Sequence, residues 1–236
     1  MKLLHLRIAS YLYNQITDND ISYSELFERY PSLNMNKEEH IKALIAWLRS
    51  WGCRQFKKDN EDLSINSIKK WFQTIETKFP SKHNYLIDYD LNTNKKIIIE
   101  SFDNLLNKYA SIHKYRNRKI NVRIGPVGAA KALFAIRPNL FPPWDGFIYK
   151  KFKLEGNGYG YFKYLLKVKN ELREIRNNIK DTELKWDDLF EYLGKKHTSY
   201  PKLIDEYYWI TITQEIDPAK IENFMRDFYL NKYGQE

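Results

Sequence analysis

The sequence predicts an all-α fold, and three observations carry that expectation. Apolar residues return at three- and four-residue intervals through most of the chain, the spacing that lines one face of a helix. Strand signals are sparse: Tyr85–Tyr89 and Ile97–Ile99 are short runs without convincing partners. Hydrophobic residues make up 43% of the 236 residues and aromatics 16%, ample for one core or for two lobes sharing a cleft.

Taken in order, Leu4, Ile8, Tyr11 and Leu12 suggest the core face of a first helix. Ile41, Leu44, Ile45, Leu48 and Trp51 mark a helix ending near Gly52, a natural C-terminal glycine. Ile68, Trp71, Phe72 and Ile75 line another that stops before Pro80, and Ile98, Phe102, Leu105, Leu106 and Tyr109 form a further stripe. A long helix is expected through Tyr161, Leu165, Val168, Leu172 and Ile175. Three more are expected around Leu189 and Leu193, around Tyr207 and Ile210, and around Ile221, Phe224, Met225 and Phe228. The polar clusters at 57–64 and 90–96 read as surface loops, and Glu155–Gly160 as a flexible connection.

Lys and Arg outnumber Asp and Glu by 39 to 30, a formal charge of +9 that favours a polyanionic partner. Cys53 is the only cysteine. That excludes an internal disulfide, a cysteine-based zinc site and a four-cysteine iron–sulfur cluster. His40, His83, His113 and His197 lack metal-ligand spacing, so no metal is expected. His5 and Arg7 interrupt the N-terminal apolar run before a secretory segment can build. No stretch approaches the roughly 20 apolar residues of a membrane span. A cytoplasmic protein with no membrane association and no obligate protein partner is expected.

The informative stretch runs from Arg123 to Phe152. Gly125 and Gly128 bracket Pro126-Val127 in what reads as a compact turn that another backbone can approach closely. A helix should follow at once, its first turn holding the small residues Ala129 and Ala130. Its free N–H groups and positive dipole end then suit a phosphate, with Arg123 and Lys131 adding charge. Pro138 should stop that helix at Arg137. Pro142-Pro143 make a stiff approach to Trp144 and Asp145, after which Phe147, Ile148 and Phe152 resume helical spacing, flanked by Lys150 and Lys151. Asp145 is therefore expected at a helix N-cap. Taken singly, such an Asp is a cap and Gly-Pro-Val-Gly a turn; their order and spacing say more.

Together these residues resemble the helix-hairpin-helix (HhH-GPD) DNA glycosylase superfamily. Ile124-Gly125-Pro126-Val127-Gly128 corresponds to that family's Leu-Pro-Gly-Val-Gly hairpin, with Gly and Pro exchanged. Ala132 corresponds to the helical Ala four residues past the second Gly, and Pro143-Trp144-Asp145 to the Pro-Val-Asp that carries the catalytic Asp. Phe147-Ile148-Tyr149-Lys150 resembles the continuation. The Gly128–Asp145 interval of 17 residues is shorter than in the better-known members.

The resemblance implies a two-lobed helical fold, with 22–137 as the lobe carrying the hairpin, 1–21 plus 138–236 as the other, and Asp145 at the mouth of the cleft between them. It implies double-stranded DNA as partner, bound through Arg123, Gly125, Val127, Gly128, Ala129, Lys131 and Lys150. It also implies excision of a flipped base with Asp145 stabilising the positive sugar. Strand-cleaving members carry a Lys two residues past the second Gly, where Ala130 stands here. Lys131, turned about 100° further round the helix, is expected to face the phosphate backbone, which implies a monofunctional enzyme. Trp51, Arg54 and Trp144 are candidates for the base pocket. No cofactor is implied beyond a monovalent cation at the hairpin backbone. The small size and unusual hairpin resemble compact prokaryotic glycosylases, some of which act in phage defence by excising modified cytosines, and the 155–160 loop would border the pocket for such a base. Two rival readings remain: a non-catalytic DNA-binding module, and a structural helical subunit whose basic faces meet a partner.

Overall fold

The computed structural model describes residues 2–115, 118–196 and 198–233, with the backbone alone at 114–115 and 227–233. It is mainly helical. The chain runs α1 (Leu3–Ile16), α2 (Asn19–Arg29), α3 (Glu38–Ser50), α4 (Glu61–Ile75) and α5 (Lys95–Leu106). An antiparallel ribbon of β1 (Tyr109–Tyr115) and β2 (Arg118–Arg123) leads into α6 (Gly125–Ile136). Then come α7 (Gly146–Lys151), α8 (Gly158–Lys180), α9 (Leu189–Tyr192), α10 (Tyr200–Tyr208) and α11 (Pro218–Tyr233), with a π-helical turn at Trp209–Thr213.

Where the apolar pattern is unambiguous, the helices obey it. In α3 the stripe Ile41, Leu44, Ile45 and Leu48 is buried, and Gly52 takes the positive φ of +77° that ends the helix. The residues Ile68, Trp71, Phe72 and Ile75 are buried along α4, and Tyr161, Leu165, Val168, Leu172 and Ile175 along α8. Helix α6 stops at Ile136, two residues before Pro138. Gly158 opens α8 in close contact with α5: a Cβ there would lie 2.5 Å from the Ile99 carbonyl, and its N–H donates to Asp103 Oδ1 at 2.7 Å. The 155–160 segment is thus pinned rather than free.

Other expectations are corrected. Helix α1 buries Leu6, Ala9, Ser10 and Tyr13, while Leu4 and Tyr11 face out, so the helix is rotated from the face its large apolar residues suggest. Tyr109 belongs to β1, and both strands come from a segment with no strand expectation; Ile97–Ile99 are helical. Phe224 and Met225 on α11 are exposed, and Phe228 lies outside the described side chains. Residues 58–64 and 95–96 enter helical turns instead of loops. A boundary at 21/22 would cut α2. α1 packs against α8, α10 and α11, while α5 packs against both α6 and α8, so one apolar core is continuous from Leu6 to Tyr208.

The rotation of α1 has a polar cause. Lys202 on α10 is wholly buried and paired with Asp20 of α2 and Glu206 of α10. Lys195 pairs with the same two carboxylates at 2.5 and 2.8 Å, and its Nζ donates to Asn14 Oδ1 at 2.7 Å. Ser10 Oγ donates to Glu206 Oε2, and the Tyr13 ring lies 4.5 Å from Lys202 Nζ. Two cations thus meet two anions where α1, α2 and α10 converge. Burial pushes the Asp20 carboxyl up, but Lys202 and Lys195 outweigh it and hold it below its ordinary value. Its contribution to stability is therefore present above the ordinary carboxylate range and is lost as pH falls through the lowered folded value. Lys202→Ala leaves buried Glu206 and part-buried Asp20 short of a partner and is expected to cost about 3–5 kcal/mol, read as a lower urea midpoint at unchanged m-value.

Candidate active site and nucleic-acid interface

Asp145 follows the extended segment 141–144 and caps α7: its Oδ1 accepts from the N–H groups of Phe147 and Ile148, both at 2.8 Å. Its Oδ2 accepts from Thr213 Oγ1 at 2.7 Å, out of the π-helical turn that follows α10. The carboxylate is half-buried and oriented by three donors. Trp144, just before it, is 1% exposed, and its indole Nε1 donates to the Pro126 carbonyl at 3.1 Å. The residue before Asp145 is thereby tied to the first turn of α6.

A groove of about 640 Å³ opens between α7 and the π-helical turn, lined by Gly146, Phe147, Lys150, Lys151, Thr211, Ile212 and Glu215; Asp145 precedes its first lining residue but does not itself line it. Phe147, which helical spacing had assigned to packing, is 67% exposed, whereas Ile148 fills the core. Lys150 is exposed on the same rim. Glu215 holds a positive φ of 55°, costly for a residue with a Cβ, just past the π-helical turn. Thr211, Thr213 and Glu215 lie some 70 residues from Asp145 in sequence, and no local motif marked them.

The turn at Gly125–Gly128 is less open than expected. It is not a separate hairpin between two helices but the opening turn of α6, entered from β2, with Gly125 at φ +71°. The Ile124 carbonyl accepts from Gln55 Nε2 at 2.7 Å, and a Cβ on Gly128 would come within 2.5 Å of that same nitrogen. Gln55 therefore occupies the close approach that had been assigned to phosphate at Gly128. Ala129 and Ala130 are fully buried, so Ala129 offers no surface to DNA. Gly125 and Val127 stay half-buried at the rim, and Arg123 is exposed, its Nη1 bonded to Asn107 Oδ1. The carbonyls of Ile124 and Pro126 each accept one side-chain donor, from Gln55 Nε2 and Trp144 Nε1.

Lys131 does not face outward. Its Nζ donates to the Trp51 carbonyl at 2.6 Å and sits 5.5 Å from the centre of that ring. Trp51 itself is 5% exposed and packed between Trp47 and Phe134, its Nε1 donating to Ser22 Oγ. Trp51 and Trp144 are therefore core rings with no free face for a base. Arg54 is exposed. Among the described residues no group of three His, Cys, Asp or Glu could hold a metal ion, and no helix is long and apolar enough to cross a membrane.

One carboxyl that sequence reasoning passed over joins this neighbourhood. Asp205 on α10 is buried, and burial above all raises its pKa well above the ordinary value. The Asp145 and Glu206 charges act in the same sense, while Lys202 and Lys131 oppose them. Tyr164 Oη, fully buried and within the influence of both carboxyls, has no hydrogen-bond partner.

The sign of the Asp205 effect can be read directly. A raised folded pKa means the unfolded chain gives up that proton first, so the group costs stability as pH rises above the ordinary carboxylate range. Asp205→Asn is expected to match the wild type in stability near pH 4, around the ordinary Asp value, and to exceed it increasingly towards neutrality. Urea titrations across that range check the prediction, and a wild type that is the more stable at neutral pH would contradict it. No family model matches the chain, and neither does any curated protein or solved structure.

Proposed function

We propose that this protein is a monofunctional DNA glycosylase that hydrolyses the N-glycosidic bond of an everted base in duplex DNA and leaves an abasic site. The observation that carries the reading is Asp145: a half-exposed carboxylate fixed by three donors, one residue before the first lining residue of a lysine-rimmed groove and one residue after the indole that grips α6. Its surroundings suit the chemistry. As the bond from C1′ to the base stretches, positive charge develops on the sugar, and a preorganised anion stabilises that charge without reorganising. The base departs with the bonding electron pair, and water, oriented by the same carboxylate, adds to C1′ and releases a proton. The base must first leave the stack, since duplex DNA shields the bond. Exposed Phe147 beside the groove offers an apolar face near the opened site.

Water is the nucleophile in this reading. Ala130 stands buried where strand-cleaving relatives of the resembled family carry Lys, and the Lys131 amine is bound to the Trp51 carbonyl. In the two-lobed arrangement that the resemblance implies, α1 crosses from the N-terminus to pack with the C-terminal half, and its contacts with α8, α10 and α11 support this. The protein acts in the cytoplasm on a damaged or modified base, with a modified cytosine of phage DNA as the first substrate to try.

The test is incubation with duplexes carrying a panel of modified bases, followed by mild alkali to reveal abasic sites. Asn also caps helices well, so Asp145→Asn is expected to keep the melting temperature close to that of the wild type. It should lose excision by roughly 100-fold or more, the scale of removing one preorganised electrostatic group. Borohydride should trap no covalent adduct. Undiminished excision by the folded variant, or no excision from any duplex in the panel, overturns the reading.

A further inference from the structure

The β-ribbon has no part in the chemistry above. β1 is fixed to the body of the protein: Ser64 Oγ of α4 donates to the Ala110 carbonyl at 2.6 Å, and Ile112 N–H donates to Asn60 Oδ1 at 2.8 Å. The base of the ribbon is closed by Ile124 N–H donating to the Lys108 carbonyl at 2.8 Å. β2 pairs only with β1 among the described residues, so its outer edge is open. Along that edge Arg118, Lys119, Ile120, Asn121 and Arg123 are all exposed.

The charge of this region is one-sided. From Asn104 to Trp144 the chain holds 41 residues with eight Lys or Arg and no Asp or Glu. An acid does lie near β1: Asp59 lines the cleft there with Lys57 and His113. The β2 edge has none of its own. Side chains alternate along a strand, so Lys119, Asn121 and Arg123 share one face while Arg118 and Ile120 share the other. Ile120 is 49% exposed, an apolar residue standing among cations. Cations on an open edge also deter strand-to-strand aggregation, but either sign of charge would serve that end, whereas a polyanion is met by only one.

We propose that the β-ribbon is a second DNA-binding element that lays the β2 edge, through Arg118, Lys119 and Arg123, along a groove of the duplex that flanks the excision site. A two-stranded ribbon is of the size that the major groove of B-DNA admits. The ribbon leads into α6 through Ile124, and Trp144, the residue before Asp145, is hydrogen-bonded to the opening turn of α6, so the ribbon and the carboxylate are linked through that turn. Asn121, between two cations on one face, is the side chain placed to meet a base edge. This inference rests on the glycosylase reading for its choice of DNA, but it concerns binding alone.

The test measures duplex affinity against salt, separately from excision, for the wild type, Arg118→Gln/Lys119→Gln and Arg118→Glu/Lys119→Glu. Each lost phosphate contact removes about 0.9 from the slope of log K on log salt. The Gln pair should therefore flatten the slope by nearly two and weaken binding about tenfold or more in 0.15 M salt. The Glu pair should bind more weakly still while remaining equally monomeric by size exclusion, which separates DNA binding from edge protection. The melting temperature of the Gln pair should stay that of the wild type, since both side chains are exposed. Wild-type affinity and slope in both variants overturns the inference while leaving the glycosylase reading intact, as does ribbon-dependent binding confined to an RNA duplex. Ribbon-dependent DNA binding by a wild type that excises nothing upholds the inference and rejects the enzyme.

Discussion

A buried indole carries one donor that is costly to leave unpaired, and at Trp144 the pairing of that donor organises the site. Its N–H reaches the Pro126 carbonyl in the opening turn of α6, while its ring is enclosed by Phe102, Tyr149, Tyr161 and Tyr164. Leaving such a donor unpaired costs about 1–3 kcal/mol, so the segment 141–145 has one favourable seating. Asp145 inherits that position. The backbone N–H groups of α7 and the Thr213 hydroxyl then settle its orientation, and three separate stretches of chain meet at one carboxylate.

Buried charge does comparable work on the larger scale. Apolar periodicity tells a helix which sides could face inwards, but it does not rank two similar stripes against each other. In α1 the stripe that wins is the one bringing Ser10 to Glu206 and Tyr13 beneath two ammonium groups. Lys202 and Lys195 cannot be buried singly, because an isolated ion in an apolar interior is prohibitively unfavourable. They are tolerated because Asp20 arrives from α2 and Glu206 lies one turn along α10. Asp205, next to them, loses more to burial than Lys202 and Lys131 return, and is driven towards its neutral form. That difference between adjacent acids arises from packing, since in sequence they are merely Asp-Glu.

The candidate site was partly legible. The Pro-Pro approach, the cap at Asp145 and the end of α6 follow from rules that act within a few residues, and they hold. Lys131 and Gly128 went astray for a shared reason: each was judged by its own helix, whereas the end of α3 and the segment after it supply the groups they meet. Gln55 fills the space over Gly128, and the Trp51 carbonyl draws Lys131 inward. The ribbon was hidden because its strands alternate weakly, with Arg118, Lys119 and Asn121 along an open edge where no buried face imposes a pattern. Phe147 misled in the opposite direction, an apolar residue at helical spacing that faces the groove.

Sequence alone determined the helical class, the ends of α3 and α6 and the helix cap at Asp145, because 3.6-residue periodicity, proline and cap chemistry operate over one or two turns. Tertiary structure decided which face of α1 is buried, where Lys131 points, which tryptophans are closed to a ligand, and which acid is pressed towards its neutral form. Those outcomes depend on partners tens to hundreds of residues away, and the free energies of meeting them exceed the small local preferences that a stretch of sequence expresses.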